Sequence, residues 1–197
     1  MAFRASIRRT PIAALASPSP RMATAGAPMM MRRPFHSTPR ALVKVGEAVP
    51  DLAVLHEDTP GNKVNLAHEF ATADGVIVGV PAAFSGACSQ KHVPSYIQHP
   101  KLKEKGSVFV VSVNDAFVMK AWGDQLDPTH ASGIRFLADP SGAFTKALDV
   151  EFDGTAIFGN KRSKRYALVI KDGKVESVHV EPDNTGTDVS MADKVLA

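Results

Sequence analysis

The 197-residue chain has only one cysteine, Cys88, so it cannot form a disulfide within itself. This excludes the disulfide-stabilised secreted scaffolds and favours a reducing compartment. The sequence also lacks an apolar run as long as the roughly 18 residues that a membrane-spanning helix requires, so no membrane partner is expected. Its length and hydrophobic content are sufficient for one globular domain with an extension.

Acidic residues are missing before Glu47, whereas residues 1–42 hold seven arginines. The whole chain has 23 basic and 20 acidic residues, a net charge of +3. Without the seven N-terminal arginines, 16 basic and 20 acidic residues remain, so the rest of the chain has a net charge of −4. The globular part is therefore mildly acidic. Its charge gives no support for a nucleic-acid partner, and none is predicted.

The Arg-rich, acid-free N-terminus has the composition of a mitochondrial presequence. In MAFRASIRRTPIAALA, arginines and apolar side chains are placed as in an amphipathic turn or two. A secretory signal peptide fits less well, and a disordered basic tail is the alternative. We predict that residues 1–42 are a presequence, cleaved or disordered, for the mitochondrial matrix. The stretch RRPFHSTPRALV resembles a fungal-type processing region and predicts cleavage after Pro34 or near Leu42.

Strand patterns alternate with helical patterns over the predicted domain, residues 43–197. An extended segment with a turn, 43–58, precedes three β-rich runs, which are GVIVGVP, SVFVVSVN and GIRFLADP. Between them lie the helical segments SQKHVPSYIQHPKLKEKG, with a kink expected at Pro94, and DAFVMKAWGDQL. A hairpin at 164–182 and a last helix, with Ser190 and Asp193 as an approximate capping box, complete the pattern. The order predicts an α/β protein with a thioredoxin-like fold, in which helices flank a central mixed β-sheet.

Cys88 follows the first buried strand, in the loop that leads into a helix. Ligands of open α/β sheets bind at that end of the strands. Free backbone N–H groups and the helix dipole would favour the thiolate, which is the nucleophilic form of cysteine. Ser85 could donate a hydrogen bond to the sulfur, and Lys91 and His92 lie one turn further on. The simpler alternative is an inert buried cysteine.

A Cys88–His92 hydrolase pair and a zinc site are two further chemical alternatives. Hydrolase pairs usually come from separate segments and need an orienting third group. Zinc needs three or four ligands, and the sequence offers no second cysteine and no close histidine cluster. The favoured role of His92 is therefore hydrogen bonding near the site, and neither a metal nor a cofactor is expected.

Arg165 is the last residue of the basic segment KRSKR and precedes an apolar strand, 166–170. The other basic residues of the segment are expected in a solvated turn, namely Lys161, Arg162 and Lys164. A charge at the mouth of a buried strand needs a partner, and a guanidinium donates several hydrogen bonds in one plane. An anionic sulfur or a polarised oxygen would be such a partner, although the residues alone leave this pairing open.

The stretch GVPAAFSGACSQKHVP, residues 79–94, resembles the active-site loop of the peroxiredoxins, whose pattern is Pro-x-x-x-Thr/Ser-x-x-Cys. The whole domain is similar to the type-five subfamily, in a fungal mitochondrial-like, one-cysteine form. Four more segments resemble that subfamily in the same order: VSVNDAFVMKAWG, FLADPSGAFTKALD, IFGNKRSKRYALVIKDGKV and VEPDNTG. The resemblance implies the thioredoxin-like fold and a thiol peroxidase.

The resemblance also implies a role for each matching residue. Cys88 would be the peroxidatic cysteine, Pro81 would shield it from water, and Ser85 would hydrogen-bond the peroxide. Arg165 would anchor both thiolate and peroxide. Three other residues would lie near the pocket or its dimer surface, namely Phe84, His92 and Trp122.

Two departures from the family pattern bear on mechanism. Ser85 stands where threonine is commoner and lacks the methyl group that fixes the rotamer, so a slower reaction is expected. Val189 stands about where many type-five members carry a resolving cysteine. The implied mechanism therefore uses one cysteine, which hydrogen peroxide or an alkyl hydroperoxide oxidises to a sulfenic acid. An external thiol would reduce it, either glutathione with glutaredoxin or thioredoxin, and a homodimer is implied.

Two functions of other classes remain as alternatives. One is a redox sensor that is oxidised without turnover, and the other is a thioredoxin-fold binding module in which Cys88 is structural. Steady consumption of peroxide with an external thiol would distinguish the enzyme from both.

Overall fold

The structure, a computed structural model, describes residues 42–197. The predicted presequence lies outside the described residues except for Leu42. From Val43 onward the backbone is packed against the domain, because Val43 is buried and donates its N–H to the Leu148 carbonyl at 3.1 Å.

A seven-stranded sheet runs through the described domain in the order β2-β1-β5-β4-β3-β8-β9. Its strands are β1 (Leu55–Glu57), β2 (Lys63–Val64), β3 (Gly75–Val80), β4 (Ser107–Ser112), β5 (Arg135–Ala138), β8 (Tyr166–Lys171) and β9 (Lys174–Val180). The pairs β3–β4 and β4–β5 are parallel, and the remaining pairs are antiparallel. The predicted mixed sheet is confirmed.

Short helices and a small hairpin surround this sheet. The helices are α1 (Leu66–Glu69), α2 (Val93–Ile97), α3 (Ala116–Leu126), α4 (Ala143–Ala147), α5 (Thr155–Phe158) and α6 (Ala192–Val195). Two strands, β6 (Glu151–Phe152) and β7 (Arg162–Ser163), pair separately from the main sheet. Among residues 42–197, no helix is both long and apolar enough to cross a membrane.

Strand β3 is buried on both faces because each face of the sheet carries its own core. Val76, Val78 and Val80 point to one core, whose other members include Tyr96, Met119, Trp122 and Val195 from the helices. Ile77 points to the opposite core, which includes Phe70, Phe109, Phe144 and Tyr166. This covering of both faces explains why β3 and β4 are continuous apolar runs in the sequence.

Gly79 is required for the packing of Tyr166 beside the candidate site. The two residues are partners in the β3–β8 register, and a Cβ atom at Gly79 would lie 1.9 Å from the Tyr166 ring. The fully buried ring occupies that space and fixes the start of β8, directly after Arg165. The same contact brings the end of β3 against the beginning of β8.

The helix predicted after Cys88 is divided into three pieces. Residues Cys88–His92 form a π-helical turn, α2 follows, and a 3₁₀ turn covers Leu102–Lys105. Pro94 lies in the first turn of α2, directly after the π turn, and the kink predicted there stays a prediction. The irregularity is the π turn before it.

Other differences from the expected fold concern very short elements. β1 lies inside the sheet between β2 and β5, although the sequence predicted only an extended segment with a turn there. The capping box at Ser190 is wrong, because α6 has Met191 as its N-cap without a side-chain hydrogen bond. The Ser190 hydroxyl instead donates to Glu181 at 2.7 Å.

Candidate active site

The loop that carries Cys88 begins where β3 ends, at the buried Pro81. The Ala83 N–H donates to Asn114 Oδ1 at 3.0 Å, and the Ser112 hydroxyl donates to the same oxygen at 2.8 Å. These bonds tie the loop to the end of the neighbouring strand β4. Cys88 is the first residue of the π turn, and its side chain is fully buried.

Ser85 contacts the sulfur directly. Its hydroxyl oxygen lies 2.9 Å from Cys88 Sγ and also 2.9 Å from the Ala82 carbonyl oxygen. A hydroxyl has one proton, so it donates to only one of these acceptors at a time. When Cys88 is a thiol, its proton can bond the Ser85 oxygen while Ser85 donates to Ala82. When Cys88 is a thiolate, the hydroxyl turns to the sulfur.

Arg165 reaches the same sulfur from the start of β8. Its Nη1 lies 3.3 Å from Cys88 Sγ, and its Nε donates to the Thr185 carbonyl at 3.2 Å. The side chain is buried, so its charge has little solvent screening. The structure therefore places the Arg165 guanidinium against the Cys88 sulfur, which is the pairing that the sequence left open.

Phe84 and Trp122 frame the loop on its outer side. Phe84 adopts a φ of 59°, a strained conformation for a bulky residue, and its side chain is 49% exposed. Its ring lies 6.5 Å from the buried Trp122 ring, whose Nε1 donates to the Ser89 hydroxyl at 3.0 Å. Trp122 thereby holds the turn that follows Cys88.

His92 is buried and neutral. Burial and the nearby Arg165 charge lower its pKa to about 3, against weaker opposing effects of Ser190 and Glu181. His92 therefore acts near the site through hydrogen bonding rather than through positive charge. Its Nε2 lies 3.0 Å from the Ser190 carbonyl and must carry the proton, since a carbonyl only accepts.

The geometry does not favour the two alternative chemistries. The Nε2 of His92 bonds a backbone carbonyl, which suits a structural role rather than a hydrolase base. Across residues 42–197, no group of three or more His, Cys, Asp or Glu side chains is placed to hold a metal ion. The exposed Lys91 lies on the solvent side of the turn.

The other basic residues near Arg165 differ in exposure: Lys161 is exposed, whereas Arg162 and Lys164 are half-buried. Lys161 is exposed and pairs with Glu151, as a turn residue would. Arg162 is half-buried, donates to the Val113 carbonyl and lies over the Phe158 ring, with 5.1 Å between the Arg162 Cζ atom and the ring centroid. The prediction of a solvated turn is therefore wrong for Arg162, which β7 and α5 hold against the end of β4.

Four groups near the site were not found from the sequence. Glu181 and Ser190 form a buried hydrogen-bonded cluster, and Tyr96 donates to the Ser190 carbonyl at 2.6 Å. The Thr185 carbonyl positions Arg165. A backbone carbonyl has no side-chain signature, and Tyr96 lies far along the chain from Glu181 and Ser190. The only sequence signal for this cluster was Glu181, an acidic residue directly after a β-rich run.

The family model described as Redoxin matches residues 44–196. Peroxisomal membrane associated protein 20 of Schizosaccharomyces pombe is 43% identical, over 79% of this chain and 99% of its own length. Peroxiredoxin-2F, mitochondrial, of Oryza sativa is 42% identical, over 61% of this chain and 62% of its own length. The crystal structure of peroxiredoxin 5 from Alvinella pompejana superposes with a TM-score of 0.65 at 41% identity, over 73% of this chain and 92% of that one.

The neutral state of His92 predicts a loss of stability in weak acid. The unfolded chain protonates this ring below its ordinary pKa of 6.5, whereas the folded chain does not until about pH 3. The free energy of unfolding should therefore fall as the pH drops below 6.5, by about 2 kcal/mol from this residue between pH 7 and pH 5.

Urea denaturation at the two pH values measures this effect, with His92→Gln as the control. Glutamine can still donate to the Ser190 carbonyl but does not titrate. The variant should therefore lose less stability than the wild type on going to pH 5. Equal losses in the two proteins would show that His92 is not the responsible group.

Proposed function

Since the chain belongs to the Redoxin family and is a peroxiredoxin of type-five kind, we propose that Cys88 is the residue at which it reduces peroxides. The chain is a thiol-dependent peroxidase with a thioredoxin-like fold. The proposal concerns which residues carry the reaction, what reduces the enzyme, and where it functions.

One observation carries the assignment of the site. The buried sulfur of Cys88 has the Ser85 hydroxyl 2.9 Å away and the Arg165 guanidinium 3.3 Å away. Both groups donate hydrogen bonds, and one is a cation, so both can stabilise the negative charge of the reacting sulfur and of a bound peroxide oxygen. A sulfur held in this way is a nucleophile prepared for attack before the substrate arrives.

The reaction is a displacement at oxygen. The thiolate attacks the terminal peroxide oxygen, the S–O bond forms as the O–O bond breaks, and a proton converts the departing oxygen into water or an alcohol. Cys88 is oxidised to a sulfenic acid while the peroxide is reduced. Arg165 and Ser85 stabilise the charge that moves onto the peroxide oxygens as their bond stretches. Pro81 shields the thiolate from water.

Reduction of the sulfenic acid requires a thiol from outside the chain, because Cys88 is its only cysteine. An external thiol attacks the Cys88 sulfur, water leaves, and a mixed disulfide forms. A second thiol then releases Cys88 as a thiol and takes the disulfide. The proposed reductants are glutathione with glutaredoxin, or thioredoxin. The homodimer that the sequence predicts stays a prediction.

The mitochondrial matrix is the proposed location. Residues 1–42 are rich in arginine and contain no Asp or Glu, a composition typical of a mitochondrial presequence. The rice relative is named as mitochondrial, whereas the fission-yeast relative is named as associated with the peroxisomal membrane. The composition of this chain's own N-terminus therefore carries the proposal.

The Cys88→Ser variant should lose peroxide reduction completely, because a serine hydroxyl is not ionised at neutral pH. The assay follows hydrogen peroxide consumption with dithiothreitol as the reductant, and the wild type should show steady turnover. Oxidation of one equivalent without turnover would indicate the redox-sensor alternative. Unchanged activity of the variant would remove Cys88 from the mechanism.

The Arg165→Lys variant should slow the reaction with peroxide by roughly 10- to 100-fold, since lysine cannot contact both the sulfur and the Thr185 carbonyl. Arg135→Lys is the matched control. Arg135 is also a paired, partly buried arginine, with Glu57 at 2.7 Å and Glu69 at 2.8 Å. Its variant should react within about twofold of the wild type. Similar rates for both variants would contradict the role of Arg165.

The oxidised enzyme should form no disulfide within its own chain. After one equivalent of peroxide, mass spectrometry should find one added oxygen on Cys88, and then one glutathione when glutathione is supplied. Parallel turnover assays with glutathione plus glutaredoxin and with thioredoxin identify the reductant. If neither system supported turnover, the proposed reduction by these external thiols would be contradicted.

Residues 1–42 fused to a fluorescent protein should direct it to mitochondria, and the enzyme recovered from the matrix should begin near residue 35 or residue 43. The matched control carries glutamate in place of Arg4, Arg8 and Arg9, which removes the basic face, and it should stay in the cytosol. Peroxisomal or cytosolic fluorescence of the unmodified fusion would contradict the matrix location.

A further inference from the structure

The loop from Glu181 to Ser190, between β9 and α6, contacts both sides of the candidate active site. On one side it meets Arg165, and on the other it meets the turn and helix that follow Cys88. Neither contact uses the reacting sulfur. The loop is therefore placed to hold the two halves of the site together.

The first contact holds Arg165 by three hydrogen bonds. The Thr185 carbonyl accepts from Arg165 Nε at 3.2 Å, and the Asn184 carbonyl accepts from the Arg165 N–H at 2.7 Å. The Glu181 N–H donates to the Arg165 carbonyl at 3.0 Å. The backbone and the guanidinium of Arg165 are thus both held by this loop.

The second contact joins the loop to the Cys88 side. The Ser190 carbonyl accepts from His92 Nε2 at 3.0 Å and from the Tyr96 hydroxyl at 2.6 Å. Ser190, His92 and Tyr96 are all fully buried. Buried polar bonds of this kind fix geometry, because breaking one leaves a donor without water or another partner.

The Glu181 carboxylate holds the loop in this shape. Its Oε1 accepts three hydrogen bonds, from the Asp188 N–H at 2.8 Å, the Ser190 N–H at 2.9 Å and the Ser190 hydroxyl at 2.7 Å. The residue is only 2% exposed. Burial raises its pKa, but the bonds from Ser190 and Asp188 outweigh that effect and leave the pKa below its usual value. Glu181 is therefore ionised at neutral pH.

We propose that Glu181 is a positioning residue of the peroxidase. By folding residues 188–190 onto its carboxylate, it presents the Ser190 carbonyl to the Cys88 helix and the Thr185 carbonyl to Arg165. The guanidinium is then fixed at the distance from the sulfur that the reaction needs, before substrate binds. This inference rests on the proposed roles of Cys88 and Arg165.

The sign of one measurement separates positioning from a direct charge effect. A negative charge at Glu181 opposes negative charge at the sulfur, so a direct charge effect predicts that Cys88 reacts faster once the charge is removed. Loss of positioning acts in the opposite direction, because a displaced Arg165 stabilises the reacting sulfur and the peroxide oxygens less. A role in stability alone leaves the reaction rates of the folded enzyme unchanged.

The test is Glu181→Gln, which keeps the size of the side chain and removes its charge. We expect the rate constant for hydrogen peroxide to fall by about tenfold or more, since small displacements of a positioned group have large effects. The alkylation of Cys88 by iodoacetamide at pH 7 should slow as well. Wild-type values of both rates, or a faster alkylation, would overturn the inference.

Asp127→Asn is the matched control. Asp127 is another buried carboxylate that holds a loop, through the Ala131 N–H at 3.1 Å and the Ser132 N–H at 2.9 Å. This variant should lose stability without changing either rate. If it slowed both rates as much as Glu181→Gln does, the effect would follow stability rather than position, and the inference would fail.

Ser190→Ala is a second variant, to be used if Glu181→Gln does not fold. It removes one of the three bonds to Glu181 and keeps the carbonyl that His92 and Tyr96 contact. The rate of the peroxide reaction and the rate of alkylation should both fall, but less than in Glu181→Gln. If the wild type did not consume peroxide at all, the proposed function would fail. If it did and Ser190→Ala matched it, only the role of Glu181 would be overturned.

Discussion

A sulfur anion that is removed from water is stable only where fixed hydrogen-bond donors replace its hydration. This requirement governs the structure around Cys88, whose fully buried sulfur is met by the hydroxyl of Ser85 and the guanidinium of Arg165. The two donors come from segments far apart in the chain, since Arg165 follows Cys88 by 77 residues. The antiparallel pairing of β3 and β8 places the end of one strand against the start of the other, and so brings the donors to one sulfur.

The sequence was informative wherever chemistry or burial leaves a pattern in neighbouring residues. β3 and β4 were found because both faces are buried, which makes their apolar runs continuous. Cys88 and Ser85 stood out because a cysteine and a hydroxyl donor lie within one short loop at the end of a strand. The residues marked Arg165 as a charge that needs a partner, and only the resemblance to the peroxiredoxins implied that this partner is Cys88. For each of these residues, the pattern follows from a local physical cost.

The remaining features were hidden because they depend on contacts between distant segments. Glu181 and Ser190 have no local pattern, and the carbonyl of Thr185 acts through the backbone alone. The neutral state of His92 could not be predicted either, because it results from burial, which the sequence does not display. The π turn at Cys88 was missed because a π turn differs from an α-helix in its backbone hydrogen bonds, which no residue type here displays.

The loop that carries Cys88 has a strained backbone, and hydrogen bonds from neighbouring elements hold it in that conformation. Phe84 holds a φ of 59°, and Cys88 begins a π turn, two local geometries that short peptides do not favour. They persist because the loop is held from three separate elements: by Asn114 after β4, by Trp122 on α3, and by Ser190 before α6. Folding therefore orders the groups around the sulfur in advance, so that little reorganisation is left for the reaction itself. In the proposed mechanism, residues without any contact to the sulfur therefore control how fast it reacts.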